Sequence, residues 1–236
     1  MSKFAVILPA AGQSRRFNHP LAKKVFVSIR GKPLWLYAAE AFCQRADVVQ
    51  VLLVIAEADK DLFNERFAAN AAMWGIQPVI GGPTRAASVR NALEHVTSAA
   101  EFVAVHDAAR PCLAPAWIDA VFARAVETGA AILAEPCPAT LKRVDSAGHI
   151  EATVSRDGVW LAQTPQVFRC DWLKDAYARA SNSMEATDEA SLVEAHHRVA
   201  VVEGSSLNIK VTRPEDLKLA ELALQALPKS VGFPFQ

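Results

Sequence analysis

Four short runs of almost uninterrupted apolar residues constrain this chain most: FAVIL at 4–8, VQVLLVI at 49–55, QPVI at 77–80 and FVAV at 102–105. A strand that is apolar on both sides belongs in a parallel sheet covered on both faces, because a sheet with one wet face alternates instead. Between the runs the period changes to that of a helix. Leu34, Tyr37, Ala38, Ala41 and Phe42 form one stripe, and Ile118, Val121, Phe122 and Ala125 form another after Pro115 opens the segment. Strand, helix and strand in alternation predict crossover units, hence an α/β fold with a doubly wound, mostly parallel sheet and helices on both faces. With 236 residues, 52% of them hydrophobic, the chain is long enough to bury one large core, so a single domain over 1–236 is expected. Ligands of such sheets bind beyond the carboxyl ends of the strands, which directs attention to the loops after Leu8, Ile80 and Val105.

The rhythm changes at 140–160, where two alternating runs flank Asp145-Ser146-Ala147-Gly148, a hairpin signal. A β-hairpin arm at about 138–159 is expected to protrude from the body. It would leave Val144, Ile150 and Val154 uncovered unless a second copy of the chain packs on them, so a homodimer through the arm is expected. Helical spacing returns at Leu173, Ala176, Tyr177 and Ala180, and a last helix is predicted from near Pro214-Glu215 to about Leu227. Twenty-five basic and twenty-five acidic side chains cancel, so no general field draws nucleic acid or an anionic membrane, and an anionic ligand needs a local cluster. Cys43, Cys112, Cys137 and Cys170 fit neither zinc-ligand spacing nor a compact disulfide framework, which suits a reducing compartment. No apolar run reaches membrane-spanning length, and the start of the chain lacks the apolar core of a signal peptide, so a cytoplasmic protein is expected.

The segment from Pro9 to Arg16 brings Ala10, Ala11 and Gly12 directly after a strand, where small residues let backbone N–H groups form an anion-binding nest beside Arg15 and Arg16. An ordinary strand-to-helix turn is the plainer reading. A dinucleotide fingerprint would need a third glycine where Phe17 stands, and a P-loop would need Gly-Lys-Ser or Gly-Lys-Thr. Lys23 and Lys24 add mobile point charges to the arginine forks, a mixture suited to phosphoryl or nucleotidyl transfer, where positioning and charge neutralisation dominate. In the second loop Gly81 and Gly82 precede Thr84, a plausible N-cap, with Arg85 and Ser88 beyond; backbone groups near Gly82 and the Ser88 hydroxyl would suit a flat base. In the third loop Asp107 is placed to meet a ribose hydroxyl or a magnesium-bound water, Arg110 to hold phosphate, and His106 to serve as a satisfied structural histidine. Thr140 and Arg156 in the arm, Thr187 at a helix start and Lys210 before the last helix are each bland alone.

Taken together, LPAAGQSRRF, GGPTRAASV, VHDAARPCL, TLKR, SRDGVW, LAQTPQVF, ATDEAS and NIKVTRPEDL resemble, in order and spacing, the 2-C-methyl-D-erythritol 4-phosphate cytidylyltransferases of the non-mevalonate isoprenoid pathway. The resemblance implies a Rossmann-like fold and a homodimer in which each arm helps close the neighbour's site. It implies transfer of CMP from CTP to the sugar-alcohol phosphate, giving CDP-methylerythritol and pyrophosphate, with Mg2+ carried mainly on the triphosphate and no protein metal ligand assigned. By motif, Arg16, Lys24, Arg156 and Lys210 would be catalytic. Pro9, Ala10, Ala11, Gly12, Gly82, Arg85, Ser88 and Asp107 would hold CTP, while Asp107, Ala108, Arg110, Thr140, Arg156, Thr164, Thr187 and Lys210 would hold the second substrate. The stretch from Asn18 to Lys24 is one residue longer than in some relatives, so Lys23 competes with Lys24; register of VFVSIRGKPL favours Lys24. A pentitol phosphate such as ribitol 5-phosphate is the nearest alternative substrate, and a non-catalytic nucleotide-binding regulator the alternative of another class.

Overall fold

The computed structural model describes residues 2–14, 17, 23–180 and 186–228. The chain begins with β1 (Phe4–Pro9) and resumes at a 3-10 turn, Lys24–Phe26, followed by the short pair β2 (Ser28–Ile29) and β3 (Lys32–Pro33). Helix α1 (Leu34–Cys43), β4 (Val48–Ile55), a second 3-10 turn at Glu57–Asp59, α2 (Lys60–Arg66), α3 (Ala68–Met73) and β5 (Ile76–Ile80) come next. Then follow α4 (Arg85–Leu93), β6 (Phe102–Val105), α5 (Pro115–Thr128), β7 (Ala130–Pro136), β8 (Leu141–Val144), β9 (Ile150–Val154) and β10 (Trp160–Arg169). Helices α6 (Cys170–Arg179) and α7 (Ala190–Val193), strand β11 (Ala200–Glu203) and α8 (Asp216–Ala226) complete the described chain.

All four apolar runs are strands of one seven-stranded sheet, ordered β11-β7-β10-β6-β1-β4-β5. β1 lies between β4 and β6 and is parallel to both, and β5 is parallel to β4. The sequence reading did not single out β7, β10 or β11. β10 runs antiparallel between β6 and β7, and its last arm-proximal pair is Trp160 with Pro136. This explains the arm. An antiparallel return needs only a reversal and no crossover helix, so the chain leaves β7, turns through the β8–β9 ribbon and comes back as β10. Val144 and Ile150 on that ribbon are 51% and 65% exposed.

Side chains of β1 alternate between two cores, as burial on both faces requires. Phe4, Val6 and Leu8 join Trp35, Phe42, Ile118 and Phe122 on one face, with the Phe4 and Phe122 rings stacked at 3.9 Å. Ile7 joins Val89, Leu93, Phe168 and Leu173 on the other. A smaller cluster of Phe17, Ile29, Leu34, Cys112, Val211 and Ala220 seats α8. That helix opens later than the sequence suggested: Pro214 lies before it, and the Asp216 carboxylate accepts from Thr212 N and Arg213 N at 2.7 and 2.9 Å. Both donors precede Pro214, so the carboxylate at the helix's first residue fastens the approaching chain to the helix start. The four cysteines are free thiols, and among the described residues no helix is long and apolar enough to cross a membrane.

His106, immediately beyond β6, fixes the turn that carries the third loop. Its backbone N–H donates to Ile7 O at 2.9 Å and its side chain is fully buried. Nε2 faces Arg110 O at 3.0 Å, and a carbonyl only accepts, so Nε2 carries the hydrogen. Nδ1 then accepts from the Thr164 hydroxyl, which lies 3.0 Å away and itself accepts from Asp107 N. Burial lowers the ring's pKa from 6.5 to about 4. The unfolded chain therefore binds a proton, as pH falls below about 6.5, that the folded chain refuses until about pH 4. The corresponding stability, about 3 kcal/mol, is complete above the unfolded value and is lost as pH falls through the folded one. Ring-nitrogen NMR at pH 5.5 should find His106 neutral with its hydrogen on Nε2, and a ring that protonates near pH 6.5 would overturn this assignment.

Candidate active site

The loops after β1, β5 and β6 meet residues 208–212 in one cleft at the carboxyl edge of the sheet. Pro9, Ala10, Ala11, Gly12, Lys24, Gly82, Arg85, Ser88, Asp107 and Lys210 all line it. Two loops leave the sheet at the same level beside β4: Ala10 N–H donates to Val54 O and Gly81 N–H to Ile55 O, both at 2.8 Å. Their closeness explains the glycines. A Cβ on Gly81 would lie 2.7 Å from Ser88 Oγ and 2.8 Å from Ala11 Cβ, and one on Gly82 would lie 2.6 Å from Ala87 Cβ. Thr84 caps α4 by accepting from Ala87 N at 3.0 Å, as its position suggested. The Ser88 hydroxyl donates to Thr84 O at 2.8 Å and accepts from Gly82 N at 3.2 Å, so in this arrangement it fixes the glycine turn.

Asp107 is the electrostatic centre of the cleft. Lys210 Nζ lies 2.6 Å from its Oδ2, Arg85 Nε 3.4 Å from its Oδ1 and Arg110 Nε 3.9 Å from Oδ2. Burial alone would raise its pKa, but Arg85 and Lys210 outweigh burial and hold the carboxyl well below the usual range. Arg85 is itself oriented from behind by a residue the sequence reading left unassigned. Glu189, fully buried, accepts from both Nη groups at 2.7 and 2.9 Å and from the Tyr177 hydroxyl at 3.0 Å. Burial works against the Arg85 charge, yet Glu189 and Asp107 overcome it and raise its pKa. With three donors committed, Arg85 shapes the wall of the cleft through Asp107. In ATDEAS, Glu189 is indistinguishable from an ordinary acid in a helix's first turn; nothing in the sequence announces its burial.

Lys210 is held by its neighbours in the chain. Val211 N–H donates to Ala109 O at 2.8 Å, while Asn208, buried, donates to Thr164 O at 2.8 Å and accepts Arg110 Nη1 on its own carbonyl at 2.6 Å. Lys24 opens the turn Lys24–Phe26, lines the cleft and donates from Nζ to Val211 O at 3.0 Å. Lys23 points elsewhere, to Asp59.

Several expected residues lie outside the cleft. Thr164 is buried beneath Asp107 with its hydroxyl engaged there, and Ala108 is buried in the turn. Arg110 is mostly enclosed, where burial lowers its pKa against the pull of Asp107. Thr187 is exposed and does not cap; Asp188 accepts from Ser191 N at 3.0 Å and Ala190 opens α7. Thr140 and Arg156 are exposed on the arm, where Arg156 donates to Pro138 O and borders a separate hollow with Trp160 and Ser205. Arg16 lies outside the described residues.

Residues 4–226 match the family model described as 2-C-methyl-D-erythritol 4-phosphate cytidylyltransferase. A relative of that name from Rhodopirellula baltica is 45% identical over 232 residues, spanning 93% of this chain and 94% of its own. A chloroplastic relative from Oryza sativa is 36% identical over 92% of this chain and 73% of its own. Among solved structures, 4-diphosphocytidyl-2C-methyl-D-erythritol synthase from Anaerococcus prevotii superposes with a TM-score of 0.80 at 26% identity, covering 95% of this chain and 96% of that one. The 2-C-methyl-D-erythritol 4-phosphate cytidylyltransferase of Thermus thermophilus gives 0.76 at 31% identity, covering 95% and 100%. The matched span contains every strand of the sheet and every loop of the cleft, and the chain belongs to the 2-C-methyl-D-erythritol 4-phosphate cytidylyltransferase family.

Proposed function

We propose that this protein transfers the cytidylyl group of CTP to 2-C-methyl-D-erythritol 4-phosphate, releasing pyrophosphate. The observation that carries this reading is the pair of ammonium groups, Lys24 and Lys210, lining one glycine-walled cleft with the ion-paired Asp107. An oxygen of the sugar-alcohol phosphate attacks the α-phosphorus, the bond to the bridging oxygen breaks, and pyrophosphate departs with the electron pair. A phosphate oxygen is already ionised at neutral pH, so no general base is required, and His106 is left structural. What the protein must do is hold two anions in line and neutralise the charge that accumulates on the leaving group.

Lys24, together with Arg16 on the strength of the sequence motif, is assigned to the triphosphate. The narrow glycine turn at Gly81 and Gly82 supports a base laid flat against backbone, with Pro9, Ala10, Ala11 and Gly12 along the nucleotide. Lys210 is assigned to the incoming phosphate, and Asp107 sets its position. Among the described residues no group of three or more His, Cys, Asp or Glu could hold a metal, and the Asp107 oxygens already meet cations. These residues fit a divalent cation that arrives on the triphosphate and takes no dedicated protein carboxylate; when bound it would supply further neutralisation of phosphate charge.

The arm completes the proposal. Val144, Ile150, Trp160 and Leu161 are exposed on or beside the ribbon, and a second copy of the chain would cover them and bring Arg156 to its partner's cleft. Pyrophosphate release with CTP and methylerythritol phosphate should exceed release with ribitol 5-phosphate; the reverse order would overturn the substrate assignment. Lys24→Ala should lower kcat by about two orders of magnitude while weakening CTP binding far less, and an unaltered kcat would remove Lys24 from the reaction. Mixing Arg156→Ala with Lys24→Ala protein should restore activity through mixed dimers, measured against each variant alone; no recovery after subunit exchange would refute the shared site.

A further inference from the structure

Lys23 and Lys24 are consecutive, yet the fold sends their ammonium groups to different places. Lys24 lines the cleft, whereas Lys23 Nζ lies 2.5 Å from Asp59 Oδ2, and the Asp59 side chain is only 9% exposed. Asp59 ends the 3-10 turn that follows β4, the strand beside β1, so it stands at the same edge of the sheet as the cleft without lining it. The backbone changes direction between the two lysines. Lys23 is extended, with φ −66° and ψ 141°, and Lys24 begins the turn. On the carboxyl side, Val25 and Phe26 are buried and Phe26 stacks on Phe67 at 5.2 Å. On the amino side, the Lys23–Asp59 pair and the bond from Lys24 N–H to Ser14 Oγ, at 3.3 Å, hold the chain.

We infer that Asp59 is a positioning residue for nucleotidyl transfer, acting through Lys23 to fix the point from which Lys24 enters the cleft. This rests on the function proposed above. A lysine stem has four rotatable carbons, so its ammonium group is placed only as well as its Cα. The core packing of Val25 and Phe26 fixes one end of the short segment, and the ion pair at an almost buried carboxylate, screened less than an exposed one, fixes the other. Positioning by this route matters in the transition state, where a displaced charge loses much of its effect, and matters less for capture of a triphosphate by any nearby cation.

The test compares Asp59→Asn, Lys23→Met, the double variant, and the exchanged pair Lys23→Asp with Asp59→Lys. Each single change should lower kcat about tenfold with the KM for CTP altered less than about twofold; Asp59→Asn should keep the thermal midpoint, whereas Lys23→Met, which leaves a nearly buried carboxylate without its cation, should also lower it. The double variant should be no worse than either single one, because the two side chains act as a unit. The exchanged pair should recover kcat to within about threefold of the unaltered protein. An unchanged kcat in Asp59→Asn, additive losses, or a kcat loss in Asp59→Asn that follows a fall in its thermal midpoint would each overturn the inference. Amine labelling of the nucleotide-free protein, read by mass spectrometry, supplies a measure independent of catalysis: Lys23 should label faster in Asp59→Asn. Equal labelling sinks the strut, whereas no pyrophosphate release by the unaltered protein sinks only the functional reading beneath it.

Discussion

A carboxylate enclosed at the end of a core strand keeps its charge only if cations stay with it, and Asp107 has three within 4 Å. Each of those cations arrives on a different element. Arg85 opens α4, Arg110 closes the turn after β6, and Lys210 comes from the segment before α8. Because one carboxylate is shared among all three, separating the loops would strip Asp107 of its cations in a poorly solvated place. The arrangement continues outward: Arg85 is clasped by Glu189, Glu189 receives the Tyr177 hydroxyl, and Arg110 bonds Asn208. Local charge of this kind is compatible with a chain whose total charge is zero. Lys24, Arg85 and Lys210 concentrate positive charge on the wall of the cleft beside Asp107.

The sheet order explains why these elements can meet. β1 is flanked by β4 and β6, so the chain crosses to opposite sides on leaving the centre, and a crevice opens where the crossovers diverge. Ala10 and Gly81 remain hydrogen-bonded to β4, which keeps the lips of the crevice only one residue beyond the sheet. His106 supports the third lip from below, in the one tautomer that its two partners permit. In the proposed reaction, backbone would approach the ligand on this base, and the long side chains of Lys24 and Lys210 would supply the charge that must follow a reacting phosphate.

What the sequence discloses follows from what is local. FAVIL and FVAV are strands because both faces are covered, and α5 buries its stripe residue for residue, whereas α1 also buries Trp35, Leu36 and Ala39 and leaves Tyr37 and Ala41 only partly covered. Gly82, Thr84 and Asp107 are legible because a turn, a cap and a strand end each demand a particular chemistry. Glu189, Tyr177, Asn208 and Asp59 are not legible. Each acquires its meaning from a partner more than ten residues away, and the same letters at those positions would be ordinary on a solvated helix or loop. β10 escaped for a related reason. Its proline and the register shift between Ala162 and Gln166 break the alternation, and only pairing with β6 and β7 makes it a strand. Thr187 shows the opposite error, since a residue of good capping type stands beside Asp188, which does the capping.

The arm is where the proposed assembly would meet the chemistry. A two-stranded ribbon has little stability of its own in water, and β8 pairs with β9 alone, with most of its side chains exposed. What stiffens its base is continuity with β7 and β10, where Trp160 pairs with Pro136 and Cys137 N–H donates to Val159 O at 3.0 Å. Arg156 sits just beyond β9, near that base, and not at the tip formed by residues 145–149. In the proposed dimer it would be carried by the stiffer part of the arm, while the tip residues Val144 and Ile150 would provide apolar contact. Separating grip from contact in this way lets the second copy bury the tip without dictating where the guanidinium lies. Its placement would then be inherited from the sheet of its own protomer, through β7 and β10.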